Sequence, residues 1–230
     1  MKNLIAISIL TLIGFSAFAN DNAKRLTEML IKEDINIFKT AGDSIIGEKI
    51  LIVSALDLNK EFSNGHIKYE KKYDNQLINI ITQAPEVKTG LNGNPSIVIN
   101  GDNQSELVSI ELKNRDEALN IKKGSELDLI CLGTKDNVKL PVLKDCVTAD
   151  SYFQKFLEMK MNNISQLKEG ETPKDFFEAI YLSFKEFDIE NPNKLDGKKL
   201  DDNERDMDEI LETITDNIKE EAKEFTMPNP

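Results

Sequence analysis

The sequence predicts an α+β fold, in which a small five-stranded β-barrel is preceded by one helix and followed by a helical extension. Three features predict it. Strand-like stretches and one short helix alternate in a fixed order between Leu77 and Thr148. Apolar residues at helical spacing dominate on either side of that region. The last two strand-like stretches each carry one of the two cysteines, Cys131 and Cys146.

At the N-terminus, Lys2 precedes an almost unbroken apolar run from Leu4 to Ile13, and Ala17-Phe18-Ala19 stands before the polar Asn20-Asp21-Asn22. A short positive segment, an apolar core and small residues around a cleavage point make an export signal over residues 1–19. The run is too short for a membrane-spanning helix, and no other stretch approaches the roughly 18 apolar residues that one needs. No cysteine follows the cleavage point, so a lipid anchor is not indicated. The mature chain is therefore expected in the periplasm or outside the cell, without membrane insertion once the signal is removed.

Residues 20–47 form the N-terminal helical segment, with Leu26, Met29, Leu30 and Phe38 on one face and Gly42 as its stop. The barrel region, 48–150, starts with the short β-branched stretch Lys49–Ala55. A helix from Leu56 to about Lys72 follows, interrupted at Asn64-Gly65. Leu77–Thr82, Ser96–Asn100 and Leu107–Leu112 read as strands, with turns at Asn92–Pro95 and Gly101–Asn103. Asn114 caps a short helix that ends before Gly124. Glu126–Leu132 and Val138–Thr148 complete the set. Three strands, a helix and two strands is the order of an OB-type barrel.

From Ser151 onward the pattern is helical and acidic, with 20 acidic against 11 basic residues. Phe153, Phe156, Leu157, Ile164 and Leu167 make one stripe. Thr172-Pro173 reads as the start of the next helix, whose apolar face holds Phe176, Ile180, Phe184 and Phe187, flanked by Phe177 and Tyr181. A face that wide either covers the barrel or the N-terminal helix, or meets a partner; Phe176, Phe177, Ile180, Tyr181 and Phe184 are the candidate partner residues. A last helix is expected over Asp202–Phe225.

Two cysteines in an exported chain read most simply as one disulfide. A metal pair is the alternative, but two thiols without a nearby histidine make a poor zinc site. The acidic segment Asp196–Asp208 lacks the ligand and glycine spacing of a calcium loop. No metal and no cofactor is expected.

The segments Val53–Phe62 and Lys68–Gln76, then Gly93–Ile99, the Lys122-Lys123-Gly124 turn and the two-cysteine hairpin together resemble the exported bacterial OB-fold proteins called the tRNA-anticodon-like family. The resemblance covers about Ile52 to Val147, and leaves the flanking helices outside it. It departs at Gln83–Pro85, where many members carry a glycine turn. It implies a fold and carries over no activity.

OB barrels that hold single strands combine aromatic platforms with a basic groove. Asp74–Asp150 contains no Phe, Tyr or Trp, and has 12 acidic against 8 basic residues, so nucleic acid is a poor fit. Lys113, Arg115, Lys122 and Lys123 form the one candidate basic patch there, which otherwise serves to solvate the barrel helix. His66, the sole histidine, lies among charged residues and reads as solvated. A nucleophilic triad needs a base beside its nucleophile, and no carboxylate pair stands out by spacing, so no catalytic residue is assigned. The expectation is a non-catalytic binding protein of the cell envelope. The net charge of −12 favours a basic protein partner. Binding of a small ligand or oligonucleotide in the barrel groove is the alternative, and an unrecognised hydrolase a distant third.

Overall fold

The computed structural model describes residues 15–42, 44–46, 50–90, 93–100, 107–135, 139–168 and 170–190, with side chains from Asn22 onward. The export signal, apart from the backbone of its last residues, lies outside that set. So do the turn at Gly101–Asn103, the acidic segment Asp196–Asp208 and the expected last helix. The chain forms two compact units, one of residues 34–156 and one of residues 1–33 with 157–230.

The first unit is built on a sheet. Helix α1 (Phe15–Ala41) ends in it, stopped by Gly42, whose positive φ of 72° closes the last turn through a bond to the Phe38 carbonyl. Asp34 of α1 accepts hydrogen bonds from the backbone of Ile45 and Ile46, which fixes the chain as it leaves the helix. Strand β1 (Ile50–Ile52) lies parallel to β2 (Leu77–Gln83). Between them the predicted helix is broken at Gly65 into α2 (Ala55–Asn64), capped by the Ser54 hydroxyl, and α3 (His66–Tyr73). The expected break at Asn64-Gly65 is thus a real helix end.

Strands β3 (Lys88–Thr89), β4 (Pro95–Asn100) and β5 (Leu107–Leu112) lead to the short helix α4 (Arg115–Asn120). Strands β6 (Glu126–Thr134) and β7 (Val142–Thr148) follow. The sheet runs β1-β2-β6-β7-β5-β4-β3, with β5 and β7 parallel. The five predicted barrel strands are β2, β4, β5, β6 and β7. They lie consecutively in a seven-stranded open sheet, and among the described residues nothing pairs β2 with β4. Strand β3 was not expected. Two residues are too few to show alternation, and only their pairing with Pro95 and Ser96 defines them.

Alternation sends Ile78 and Ile80, Ile97 and Ile99, Val108 and Ile110, and Leu127, Leu129 and Cys131 into one core. Leu58, Tyr69 and Tyr73 from α2 and α3 cover it. The Tyr69 hydroxyl is buried and meets no hydrogen-bond partner among the described residues. Burial, and after it the neighbouring Tyr73, pushes this phenol well above the ordinary range. Tyr69→Phe removes a buried, unbonded hydroxyl and keeps the ring, so stability should hold or rise by up to about 1 kcal/mol. A urea titration showing a loss of that size instead would mean the hydroxyl is bonded in solution.

Strict alternation breaks once, in β7. Asp145 adopts a positive φ of 52°, and the register against both β5 and β6 shifts around it. This is a β-bulge: the extra residue on β7 turns Leu143 and Cys146 to the same inner face. Cys146 thereby meets Cys131, with the two Sγ atoms 2.10 Å apart, a disulfide distance.

The second unit draws on α1, on α5 (Ala149–Gln166) and on α6 (Phe176–Glu190). Its buried side chains include Leu26 and Ile31 of α1, Ile164 of α5, and Phe177, Ile180, Tyr181 and Phe184 of α6. The expected start of α6 at Thr172-Pro173 is corrected to Asp175. Its Oδ1 accepts from the backbone of Phe177 and Glu178, while Glu178 reaches back to the Lys174 N–H. Lys160 holds the other Asp175 oxygen.

Phe176 is left exposed, and Phe177 and Asp188 lie on the buried stripe. Asp188 is 5% exposed, takes a hydrogen bond from Asn22, and leaves Oδ2 without a partner among the described residues. Burial raises its carboxyl above the ordinary aspartate range, and the Asn22 bond opposes this without cancelling it. Folding therefore favours the protonated form. That contribution is complete below the unfolded pKa and is lost as pH rises through the folded one. Asp188→Asn should raise stability at pH 7 by about 1 kcal/mol, and bring no gain near pH 3, where aspartate is itself protonated. Thermal melts at the two pH values check this, and an equal gain at both would refute it.

Candidate functional site

A concavity of the sheet unit lies along α4. Its geometry begins at Asn114, whose Oδ1 accepts from the backbone of Asp116 and Glu117 and so starts the helix. Ala118 faces the core. Glu117 bonds the Ser151 hydroxyl and the Thr148 N–H, which pins the helix to the point where β7 passes into α5. Past the helix, Gly124 takes a φ of 83° that an L side chain rarely adopts, and its N–H bonds the Ala84 carbonyl. Ala84 in turn donates to the Ser125 carbonyl. This backbone clasp brings the segment 84–89 opposite α4, and a groove of about 400 Å³ opens between them.

The apolar surface of the groove comes from Val87, Ala118, Leu119 and Ile121. Leu119 is 80% exposed, an unusual place for a leucine on a six-residue helix. Lys88, Arg115 and Lys123 line the groove with a single acid, Glu86, which pairs with Lys88 at 3.8 Å. Arg115 and Lys123 form no ion pair among the described residues. They stand beyond opposite ends of the exposed leucine: Arg115 is the first residue of α4, and Lys123 follows its last by three.

The four residues of the predicted basic patch are thus divided. Arg115 and Lys123 share this groove. Lys113 lines a second hollow of about 290 Å³ with Asn94, Glu111, Lys144 and the bulge residue Asp145, and Lys122 is exposed and lines neither. Sequence reasoning found the cations and missed Leu119, Val87 and Lys88. An apolar residue between Ala118 and Asn120 in an otherwise polar helix was the available signal for Leu119. Nothing local announced the other two, which reach the groove only through the Ala84–Gly124 clasp.

Of the two readings of the α6 face, burial fits the one in which it packs inside the protein. Phe177, Ile180, Tyr181 and Phe184 are between 0% and 7% exposed, and only Phe176 is open to solvent. These buried side chains belong to the interior of the helical unit.

On the outer face of β4 and β5, Ser96, Val98 and Asn100 lie opposite Glu111, Ser109 and Leu107. That face presents neither a cation nor a ring. His66 is half-buried, where a fully solvated side chain was expected: its ring stands 4.2 Å from that of Phe62, and Nδ1 lies 3.4 Å from Glu70. Among the described residues no three His, Cys, Asp or Glu side chains gather as a metal site, and no helix is long and apolar enough to cross a membrane.

A family model described as tRNA_anti-like matches residues 2–147, well over half of the chain. The match includes the N-terminal stretch and α1, which the resemblance read from the sequence had left out, and stops one residue before the end of β7. Helices α5 and α6 lie beyond it. No curated protein matches the chain. The chain belongs to the tRNA_anti-like family.

Proposed function

We propose that this member of the tRNA_anti-like family is an exported, disulfide-stapled OB-fold binding protein that engages a protein partner in the cell envelope and performs no catalysis. The α4 groove is the observation that carries this reading. It joins an exposed apolar anchor point to two cations that form no ion pair among the described residues, in a surface held by backbone bonds, which is the make-up of a recognition site.

Other features support the parts of the proposal. The five consecutive strands and the parallel β5–β7 pair suit a partly open OB barrel, proposed as residues 48–150. The signal over residues 1–19 and the cysteine pair at bonding distance suit an oxidising compartment, the periplasm or the exterior. The ring-free outer face of β4 and β5 argues against stacked nucleobases. The net charge of −12 would steer a partner with a basic surface toward the protein at long range, before the groove makes contact.

The whole mature chain, immobilised and exposed to envelope extract at low salt, should retain a partner that Leu119→Asp loses. Leu119 is exposed, so the substitution leaves folding intact. Equal retention by both forms would remove the groove from the account, and retention of nothing would remove the partner. A small-ligand reading also has support, since about 400 Å³ falls in the usual range of ligand pockets. It predicts that extracted metabolites, and no protein, shift the melting temperature.

A further inference from the structure

The groove has a charge pattern opposite to that of the protein as a whole, and the pattern has a length. Arg115 opens α4 and Lys123 lies three residues past its end. At about 1.5 Å per residue the helix carries the chain roughly 7.5 Å from Arg115 to Asn120, and Lys123 follows three residues later. Leu119 and Ala118 lie between the two cations, with Val87 and Ile121 completing the apolar surface. A ligand that uses the whole site must therefore carry two anionic groups with an apolar group between them. An extended peptide turns residues i, i+2 and i+4 to one face at about 3.3 Å per residue, so acids at i and i+4 flank an apolar residue at i+2 and span roughly 13 Å. A single-headed amphiphile has only one anionic group and leaves the second cation unanswered.

We propose that the α4 groove binds an extended acidic peptide segment, with two carboxylates four residues apart on Arg115 and Lys123 and the apolar side chain midway between them against Leu119. This rests on reading the groove as the partner site and adds the chemistry of the segment received. A partner with a basic surface can present such a segment, because long-range attraction and the local contact act on different parts of it. Each carboxylate makes a charge-assisted hydrogen bond, and the guanidinium of Arg115 accepts a carboxylate in bidentate geometry.

The test uses the whole mature protein and a fluorescein-labelled hexapeptide in which aspartate and glutamate flank a serine-leucine-serine triplet. Two control peptides have one acid replaced by its amide, and decanoate serves as the single-headed competitor. The two-acid peptide should bind at least about tenfold more tightly than either control. Arg115→Gln and Lys123→Gln should each remove that preference, Leu119→Ala should weaken binding several-fold, and Lys113→Gln, in the other hollow, should change nothing. All four side chains are exposed, so melting temperatures should match that of the parent protein. Three results would overturn the proposal: no preference for the two-acid peptide, equal weakening by Lys113→Gln and Arg115→Gln, or displacement of the peptide by decanoate at equal concentration. If Leu119→Asp still loses an envelope partner while the peptides fail, the groove remains the partner site and only the acidic segment is wrong.

Discussion

Gly133→Ala is expected to be the most damaging single-methyl change in the sheet unit, costing about 3 kcal/mol or more. A Cβ at this position would stand 2.1 Å from the Tyr73 carbonyl oxygen and 3.0 Å from Ile78 Cδ1. The nearer atom is backbone, at the end of α3, and cannot turn aside as a side chain can. Two further bonds hold the approach: Gly133 N–H to the Gln76 carbonyl, and Asn75 N–H to the Gly133 carbonyl. The glycine has no left-handed φ, so the penalty is steric and separable from conformational freedom. Gly124→Ala supplies the contrast, with open space at the Cβ and a positive φ, and should cost only about 1 kcal/mol. For a protein of this size the Gly133 variant should melt roughly 10 °C lower. A melting temperature within about 2 °C of the parent would mean that α3 and β6 are not this close in solution.

The second large effect belongs to the cysteine pair. Cys131 and Cys146 are 15 residues apart in sequence, and joining them removes about 3 kcal/mol of loop-closure entropy from the unfolded chain. The double variant Cys131→Ala with Cys146→Ala should lose about that much, with alanine chosen because serine would bury two hydroxyls. Reduced parent protein should unfold at a urea concentration close to that of the double variant. Tyr69 and Tyr73, buried against the same core, give a near-ultraviolet signal that reports this unit. A urea midpoint indifferent to reductant would show that the thiols are not joined.

These two effects show what could be read from the chain alone. The order of strands and helix was legible because burial of one sheet face imposes a period of two, and Asn114 and Gly124 mark α4 by side-chain capping and by positive φ. The pairing of the cysteines was legible from their number and the export signal. The bulge that makes the pairing geometrically feasible was not. Simple alternation from Leu143 would put Cys146 on the outer face, and only the left-handed Asp145 returns it to the core. Gly133 gave no signal either, because its role depends on a carbonyl 60 residues earlier in the chain. On α6 the apolar residues were identified correctly, but their direction was not. Which of Phe176 and Phe177 is buried depends on the side of α6 that meets the rest of its unit, and no local signal states that. The groove was half legible: its cations are local to α4, whereas its opposite wall arrives through the Ala84–Gly124 clasp.

The sheet ends on β1, three residues long, and β3, two residues long with a lysine. An unpaired strand edge is a template on which another molecule can add, and longer, flatter edges template better. Strand β1 covers only Leu77–Asn79 of β2, and β3 only Pro95 and Ser96 of β4. Among the described residues the open edges left on the longer strands are therefore about four residues each, and offer too few backbone bonds to hold an added strand against the entropy of ordering it. Concentrating the protein should therefore not seed fibrils by lateral growth of the sheet. A chain that must fold among many others gains from that resistance before any partner arrives.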